Sequence, residues 1–117
     1  FELFPNLAEM RGRRANAMSG GEQQMLTVAR TLMGNPDLIL LDEPSEGLAP
    51  VIVEQMGHAI GRLKEEGLSV LLSEQNLLFA AHVCDRAYVI EGGEIKYEGS
   101  MQALMKDEDV RRAYLTI

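Results

Sequence analysis

Apolar side chains recur along the chain at two different spacings, and these spacings predict where helices and strands lie. Between residues 20 and 33, and again between 50 and 67, apolar positions follow the helical repeat of three and four residues. The short run 38–41 is apolar without alternation, which is typical of a strand covered on both faces in a parallel sheet, and 68–72 is predicted as a second buried strand. Helices and strands alternate, so the sequence predicts an α/β layered fold with a parallel sheet and flanking helices.

Helix-starting and helix-ending residues mark the ends of these segments. Ser19 is a natural N-cap for the helix over 20–33, and Pro50 fits the first turn of the following helix. Upstream, Pro5 interrupts the apolar residues of 1–17, so we expect two short helical pieces there. The predicted buried stripes are Met25, Leu26, Ala29, Leu32 and Met33 in the first helix, and Ile52, Val53, Met56, Ala59, Ile60 and Leu63 in the second.

The C-terminal part of the chain is predicted to hold a β-hairpin between helices. Gly92 and Gly93 are the residues that a tight hairpin turn demands, because the turn needs positive φ angles. In order, the predicted elements are a helix over about 77–83, a strand over 87–90, an antiparallel strand over 94–98 and a helical region from Ser100, broken near Asp107, to about Leu115.

Composition narrows the classes of protein that the chain fits. Its 117 residues, 46% hydrophobic and 25% charged, lie within the range of one small globular domain. The net charge of -7 argues against an extended nucleic-acid surface, which needs clustered Lys and Arg. Cys84 is the single cysteine, which excludes an intrachain disulfide and favours a reducing, cytoplasmic setting. No apolar run approaches the roughly 20 residues that span a bilayer, so we expect membrane association through a partner.

Ser19-Gly20-Gly21 is the first candidate for chemistry. A Ser-capped helix that begins with two glycines leaves uncrowded N–H groups at the positive end of the helix dipole, where a phosphate fits without a lysine. An ordinary capped helix in a flexible connection has the same pattern, and the motif alone favours that simpler interpretation.

Asp42-Glu43 is the second candidate, since it ends the most apolar strand. Ligands of open α/β sheets bind at the carboxyl ends of the strands. There, Asp42 would hold a magnesium ion through water and Glu43 would orient and deprotonate an attacking water. Two adjacent carboxylates are also typical of a helix cap or a salt-bridged turn, and for an isolated pair that alternative is the better one.

Polar residues 73–76 end the second strand and should lie beside Asp42-Glu43 if the two strands are neighbours. Gln75 is then a candidate sensor of a terminal phosphate, whereas Asn76 equally fits the N-cap of the next helix. No lysine of the chain follows a glycine, so the Gly-Lys-Ser or Gly-Lys-Thr of a phosphate-binding P-loop is absent from these residues.

Taken together and in order, these runs resemble the ATP-binding-cassette (ABC) ATPases of transporters. Residues 19–23 resemble their signature motif, 38–43 their Walker B strand and 45–48 their D-loop. The likeness is closest to the ATPase subunits of branched-chain amino acid importers, whose recurring runs match residues 19–26, 42–50, 74–76 and 113–115. The chain resembles only the second half of such a P-loop NTPase-like domain: 1–17 the end of its helical subdomain, and 18–117 its C-terminal half.

The resemblance implies roles for eleven residues. Those that would contact ATP bound to the opposite subunit are Ser19, Gly20, Gly21, Glu22 and Gln23. Those that would serve the chain's own site are Asp42 for Mg²⁺, Glu43 as base and Gln75 as phosphate sensor, with Ser45, Gly47 and Leu48 communicating across the dimer. Gln75 stands where most of the superfamily has a histidine, a departure that favours the branched-chain subgroup.

The expected function is that of an ATP-hydrolysing subunit, located at the inner face of the cell membrane, that powers branched-chain amino acid import. Its expected partners are a second ATPase subunit, membrane permeases and, indirectly, a substrate-binding protein. The alternatives are an inactive fragment or dimerisation piece, and an ABC ATPase outside transport. Phe1 opens the chain in mid-pattern, which indicates a fragment, and half of a sheet should expose apolar surface and self-associate.

Overall fold

The computed structural model describes residues 2–114, which divide into two compact units that meet in sequence between Glu74 and Gln75. The first unit contains a parallel two-stranded sheet with helices, and the second contains an antiparallel hairpin with helices. The predicted fold class, α/β with a parallel sheet, flanking helices and a C-terminal hairpin, is confirmed.

The first unit alternates helices and strands. Its elements are α1 (Pro5–Glu9), a 3₁₀ turn (Ala15–Ala17), α2 (Gly20–Leu32), β1 (Leu38–Asp42), α3 (Pro50–Glu65) and β2 (Ser69–Ser73). The strands β1 and β2 pair in parallel, with Leu38 opposite Ser69 and Asp42 opposite Ser73. Because the two strands end level with each other, the polar residues that follow them meet at one edge of the sheet.

Local signals in the sequence account for the helices of this unit. Pro5 and Pro50 occupy the first turns of α1 and α3, where a missing N–H costs nothing. The core contains apolar residues from every layer: Phe4, Leu7, Met25, Val28, Ile39, Met56, Ala59 and Ile60. The two short helical pieces expected before Ser19 are present as α1 and the 3₁₀ turn.

The predicted buried stripe of α2 is wrong at one residue. Met33 is 86% exposed, because the helix ends at Leu32 and Met33 is already its C-cap. Val28, which the predicted stripe omits, is buried beside Met25. Leu26, Ala29 and Leu32 are half-buried at the margins of the stripe.

The expectation that both faces of the strands are covered is also wrong for the described residues. Ile39 is buried on one face, whereas Leu38, Leu40 and Leu71 are 53%, 67% and 63% exposed. Leu40 lies opposite Leu71 in the register, so these side chains share the open face. The continuous apolar pattern therefore belongs to strands of which this unit covers one side only.

We expect the isolated 117-residue chain to self-associate through this open face. Exposed neighbouring leucines, on a sheet that has only two strands within residues 2–114, favour pairing of copies. The double variant Leu40→Gln/Leu71→Gln should lower the mass measured by light scattering, whereas Leu78→Gln, which removes a still more exposed leucine of the second unit, should not. A monomeric wild-type chain at working concentration would contradict this prediction.

The second unit is built around a hairpin. Its elements are α4 (Leu77–Val83), β3 (Arg86–Glu91), β4 (Glu94–Ser100), α5 (Met101–Lys106) and α6 (Glu108–Tyr114). Gly92 and Gly93 have φ angles of 58° and 78°, as the tight turn requires. The strands are slightly longer than predicted, and Val89, Met101 and Leu104 form the buried cluster.

A side-chain cap begins α5. Ser100 Oγ accepts a hydrogen bond from Ala103 N at 3.1 Å, and the predicted break at Asp107 separates α5 from α6. The predicted end near Leu115 lies outside the described residues.

Within the described part of the chain, no helix is both long and apolar enough to cross a bilayer.

Candidate functional site

The start of α2 is fixed by a reciprocal capping box. Ser19 Oγ accepts from Glu22 N at 3.2 Å, and Ser19 N donates to Glu22 Oε2 at 3.1 Å. Glu22 Oε2 also lies 3.9 Å from Arg13 Nη1. The predicted N-cap is confirmed. The side chains of Ser19 and Glu22 each accept a hydrogen bond from the backbone N–H of the other residue.

Gln23 fastens the preceding segment to the same helix. Its amide Nε2 donates to the carbonyl oxygen of Ala15 at 3.0 Å and to that of Met18 at 3.3 Å. These bonds hold the 3₁₀ turn against the first turn of α2. Gln23 therefore shapes the approach to the helix N-terminus.

Gly20 and Gly21 have different structural surroundings. A Cβ added at Gly21 would lie 3.2 Å from two side-chain carbons of Ile52, a tight contact that shows how closely α2 approaches α3 there. A Cβ added at Gly20 would meet no atom within 4 Å. Internal packing therefore does not demand glycine at Gly20, and space is open on the side of this residue where a Cβ would lie.

Asp42 and Glu43 lie at the carboxyl edge of the sheet, as predicted. Glu43 has a φ of 46°, in the left-handed region, which costs a non-glycine residue about 1–3 kcal/mol. Its backbone N–H donates to Ser73 O at 2.7 Å, which extends the β1–β2 ladder by one bond and holds the strained residue in place.

The acidic surroundings raise the pKa of the Glu43 carboxyl. A side-chain hydrogen bond with Glu46 is the largest cause, followed by the charge of Glu46, by desolvation and by the charges of Asp42 and Glu74. A carboxylate whose pKa is raised binds a proton more readily than an ordinary glutamate does. That property suits a group that accepts a proton from water.

We expect Glu43→Gln to raise the midpoint of thermal unfolding at pH 7 in magnesium-free buffer. The pKa of Glu43 is higher in the folded protein than in the unfolded chain, so its ionised form destabilises the fold at neutral pH. This penalty disappears as the pH falls through the raised pKa, and below about pH 4 the variant should lose its advantage. The control is Glu65→Gln on the exposed side of α3. An equal gain at both pH values would contradict the prediction.

The loop after the acidic pair forms a compact turn. Pro44 is fully buried and Ser45 is 7% exposed, while Gly47 has a φ of 72°. Glu46 N donates to Glu43 O at 3.1 Å, and Leu48 N donates to Ser45 O at 3.3 Å. The residues predicted to communicate across a dimer, Ser45, Gly47 and Leu48, therefore belong to one short turn that begins directly after Glu43.

Two side chains that carry no predicted role bind this turn. Gln24 Nε2 donates to Pro44 O at 3.4 Å, and Glu74 Oε2 accepts from Ser45 N at 3.3 Å. The first contact connects α2 with the loop, and the second connects the end of β2 with it. Both residues lie in runs that resemble the branched-chain importer ATPases, 19–26 and 74–76, but no sequence feature indicated their contacts with this turn.

The structure brings Ser73 and Glu74 beside the acidic pair, as expected for neighbouring strands. Gln75 is the first residue of the second unit. Asn76, next to it, caps α4 by accepting from Phe79 N at 3.1 Å, so the capping alternative for this run is confirmed for Asn76. A role for Gln75 toward phosphate stays a prediction.

The carboxylates at the sheet edge suit a magnesium ion whose remaining ligands are water and phosphate oxygens. Within residues 2–114, no three His, Cys, Asp or Glu side chains lie together as a complete set of metal ligands. Mg²⁺ usually binds through one or two carboxylates, with water and substrate phosphate completing its shell. The exposed Asp42 at the strand end is suited to that mode.

Comparison with known proteins defines the class. A family model described as "ABC transporter" matches residues 4–46, which include the start of α2 and the acidic pair. The fold is similar to the ADP conformation of MJ1267, an ATP-binding cassette of an ABC transporter, with a TM-score of 0.81 and 29% identity over 97% of this chain and 47% of that one. The chain belongs to the ABC transporter ATPase family.

Among curated relatives, the high-affinity branched-chain amino acid transport ATP-binding protein BraG of Pseudomonas aeruginosa is 52% identical over 97% of this chain and 49% of its own length. The lipopolysaccharide export system ATP-binding protein LptB of Haemophilus influenzae is 39% identical over 94% of this chain and 46% of its own length. The chain thus spans about half the length of the relatives that it matches.

Proposed function

We propose that this chain is part of the ATP-hydrolysing subunit of an ABC importer for branched-chain amino acids. The observation that carries the proposal is its 52% identity to BraG over 97% of the chain, against 39% to an LptB protein. In this proposal residues 1–17 are the end of the helical subdomain and 18–117 are the C-terminal half of the ATPase domain.

The proposed reaction is hydrolysis of ATP with Mg²⁺ as cofactor. Asp42 associates with the metal through water, and Glu43 accepts a proton from the attacking water. Gln75 donates a hydrogen bond to the terminal phosphate. The raised pKa of Glu43 and the exposed position of Asp42 at the sheet edge support these assignments.

The first turn of α2 is proposed to bind the terminal phosphate of ATP held by a second ATPase subunit, identical or related. Ser19, Glu22 and Gln23 shape that turn, while the N–H groups of Gly20 and Gly21 face the phosphate. Ser45, Gly47 and Leu48 communicate between subunits. The open space at Gly20 supports this assignment, because it leaves room for a ligand from outside the chain.

The proposed setting is the cytoplasmic face of the cell membrane. The ATPase subunits attach there to permease subunits, and a substrate-binding protein acts indirectly by delivering the amino acid. Nucleic acid is not a proposed partner, since acidic residues outnumber basic ones by 18 to 11.

Uptake measurements test the substrate class. Deleting the gene that contains this chain should abolish high-affinity uptake of labelled leucine, isoleucine and valine, and the complete gene should restore it. Normal uptake combined with loss of lipopolysaccharide export would instead favour the activity named for the LptB relatives.

The 117 residues alone are proposed to be inactive as an ATPase, because no lysine in them follows a glycine. The alternatives of a natural dimerisation piece or a non-transport ABC ATPase make different predictions. A dimerisation piece would bind an intact ATPase subunit, and measurable hydrolysis by the isolated chain would contradict the inactive assignment.

A further inference from the structure

Glu74 occupies a position from which it can control the loop that follows the proposed base. The loop begins with two buried residues, Pro44 and Ser45, so the backbone N–H of Ser45 needs an acceptor inside the protein. That acceptor is a side chain from another element: Glu74 Oε2 lies 3.3 Å from Ser45 N. The bond ties the end of β2 to the residue two positions after Glu43.

A carboxylate is an unexpected acceptor at this place. Glu74 adds negative charge beside Asp42 and Glu43, and its charge disfavours ionisation of Glu43. A neutral amide or hydroxyl would accept the Ser45 bond without that repulsion. At 3.3 Å the bond is longer than charge-assisted hydrogen bonds usually are, so Glu74 acts here through the placement of its acceptor oxygen rather than through its charge.

The conformation of Glu43 explains why an attachment at Ser45 matters. Glu43 has a φ of 46° and would relax if the chain on either side of it were free. Its own N–H is attached to Ser73 O at 2.7 Å, which holds the N-terminal side of the residue. Ser45 N–H to Glu74 holds the C-terminal side, so both attachments come from consecutive residues at the end of β2.

We propose that Glu74 is a positioning residue, whose carboxylate holds the Ser45 backbone and thereby fixes the direction of the Glu43 side chain. The inference rests on the proposed function for the role of Glu43, and it deepens that function by adding a residue outside the assigned set. Glu74 acts through the loop and touches no reacting atom.

Three variants of the complete subunit separate the contact from the charge. Glu74→Ala removes the acceptor, Glu74→Gln keeps an acceptor oxygen without charge, and Glu74→Asp keeps the charge but withdraws it by one methylene. Glu65→Ala, an exposed position on α3, is the matched control. Hydrogen exchange of the Ser45 amide reports the contact directly, and kcat and KM for ATP report its consequence.

We expect Glu74→Ala to accelerate exchange at Ser45 and to lower kcat about tenfold, with KM for ATP within about twofold of wild type. Glu74→Gln should preserve both slow exchange and most of kcat, and Glu74→Asp should resemble Glu74→Ala. If the alanine variant does not fold, the aspartate variant provides the same comparison. A role in stability alone would lower the unfolding temperature without this division between kcat and KM.

If the hydrogen-exchange rate of the Ser45 amide is unchanged in both the alanine and aspartate variants, Glu74 does not hold Ser45, and the proposal is wrong. Faster exchange with unchanged kcat would overturn the positioning role. If Glu74→Gln lowers kcat as much as Glu74→Ala does, the charge of Glu74 and not its hydrogen bond is what matters. That result would also overturn the proposal. A wild-type subunit without ATPase activity would overturn the proposed function and the positioning role with it, while the exchange data would still establish the attachment of Ser45.

Discussion

Glu43→Gln in the complete ATPase subunit should leave ATP binding intact and lower the rate of hydrolysis by about 10²–10⁴-fold. The substitution keeps size, shape and one acceptor oxygen, but it removes the group that takes the proton from water. The raised pKa of Glu43 makes it a better proton acceptor than an ordinary glutamate, so its loss should be felt mainly in kcat. Binding of labelled ATP and release of phosphate measure the two quantities separately.

The matched control for this prediction is Glu46→Gln. Glu46 is exposed and contacts the Glu43 side chain, so its substitution removes one nearby negative charge without removing the proposed base. We expect Glu46→Gln to retain hydrolysis. If Glu43→Gln hydrolyses ATP at the wild-type rate, the assignment of Glu43 as base is wrong, and equal loss in both variants would indicate that the whole acidic turn acts as a unit.

Sequence reasoning succeeded where the determinants are local. Ser19, Asn76 and Ser100 all cap helices through bonds to residues three positions later, so a short window contains both partners. The hairpin turn depends only on Gly92 and Gly93, since glycine adopts positive φ angles without strain. These segments specify their conformation without reference to the rest of the chain.

The strands show where local reasoning fails. The apolar run of β1 correctly predicts a strand in a parallel sheet, but not that Leu38 and Leu40 are exposed in the described unit. Periodicity indicates which side chains suit burial, and it contains no information about whether a covering layer is present. Met33 illustrates a smaller error of the same kind, since it lies one residue past the helix end and is exposed.

The candidate site lies between these extremes. Parallel pairing of β1 and β2 could be predicted from element order, and it brings Ser73 and Glu74 to the acidic pair. The bond between Ser45 and Glu74 could not, because it joins residues 29 positions apart in the sequence, and no residue pattern marks the left-handed φ of Glu43. Such contacts follow from tertiary packing, which no residue pattern within a single element encodes.

Gly20→Asp should separate the anion-binding role of α2 from its role in the fold. A carboxylate in the first helical turn interacts favourably with the positive end of the helix dipole. It should therefore stabilise the fold by about 0.3–1 kcal/mol. The site has room for the side chain, since even a Cβ at Gly20 meets no atom within 4 Å. The same carboxylate repels a phosphate at that turn, so we expect ATP hydrolysis by the complete subunit to fall about 10²-fold.

Two further variants make this comparison decisive. Gly12→Asp adds the same charge in exposed, open space outside α2 and should leave both stability and hydrolysis near wild type. Gly21→Asp should instead destabilise the protein, because its Cβ would press on Ile52 at 3.2 Å. Full hydrolysis by Gly20→Asp would remove the first turn of α2 from the ATP site. A variant that is more stable but inactive cannot owe its inactivity to misfolding, so a gain in unfolding temperature together with lost hydrolysis would identify Gly20 as a point of contact with the nucleotide.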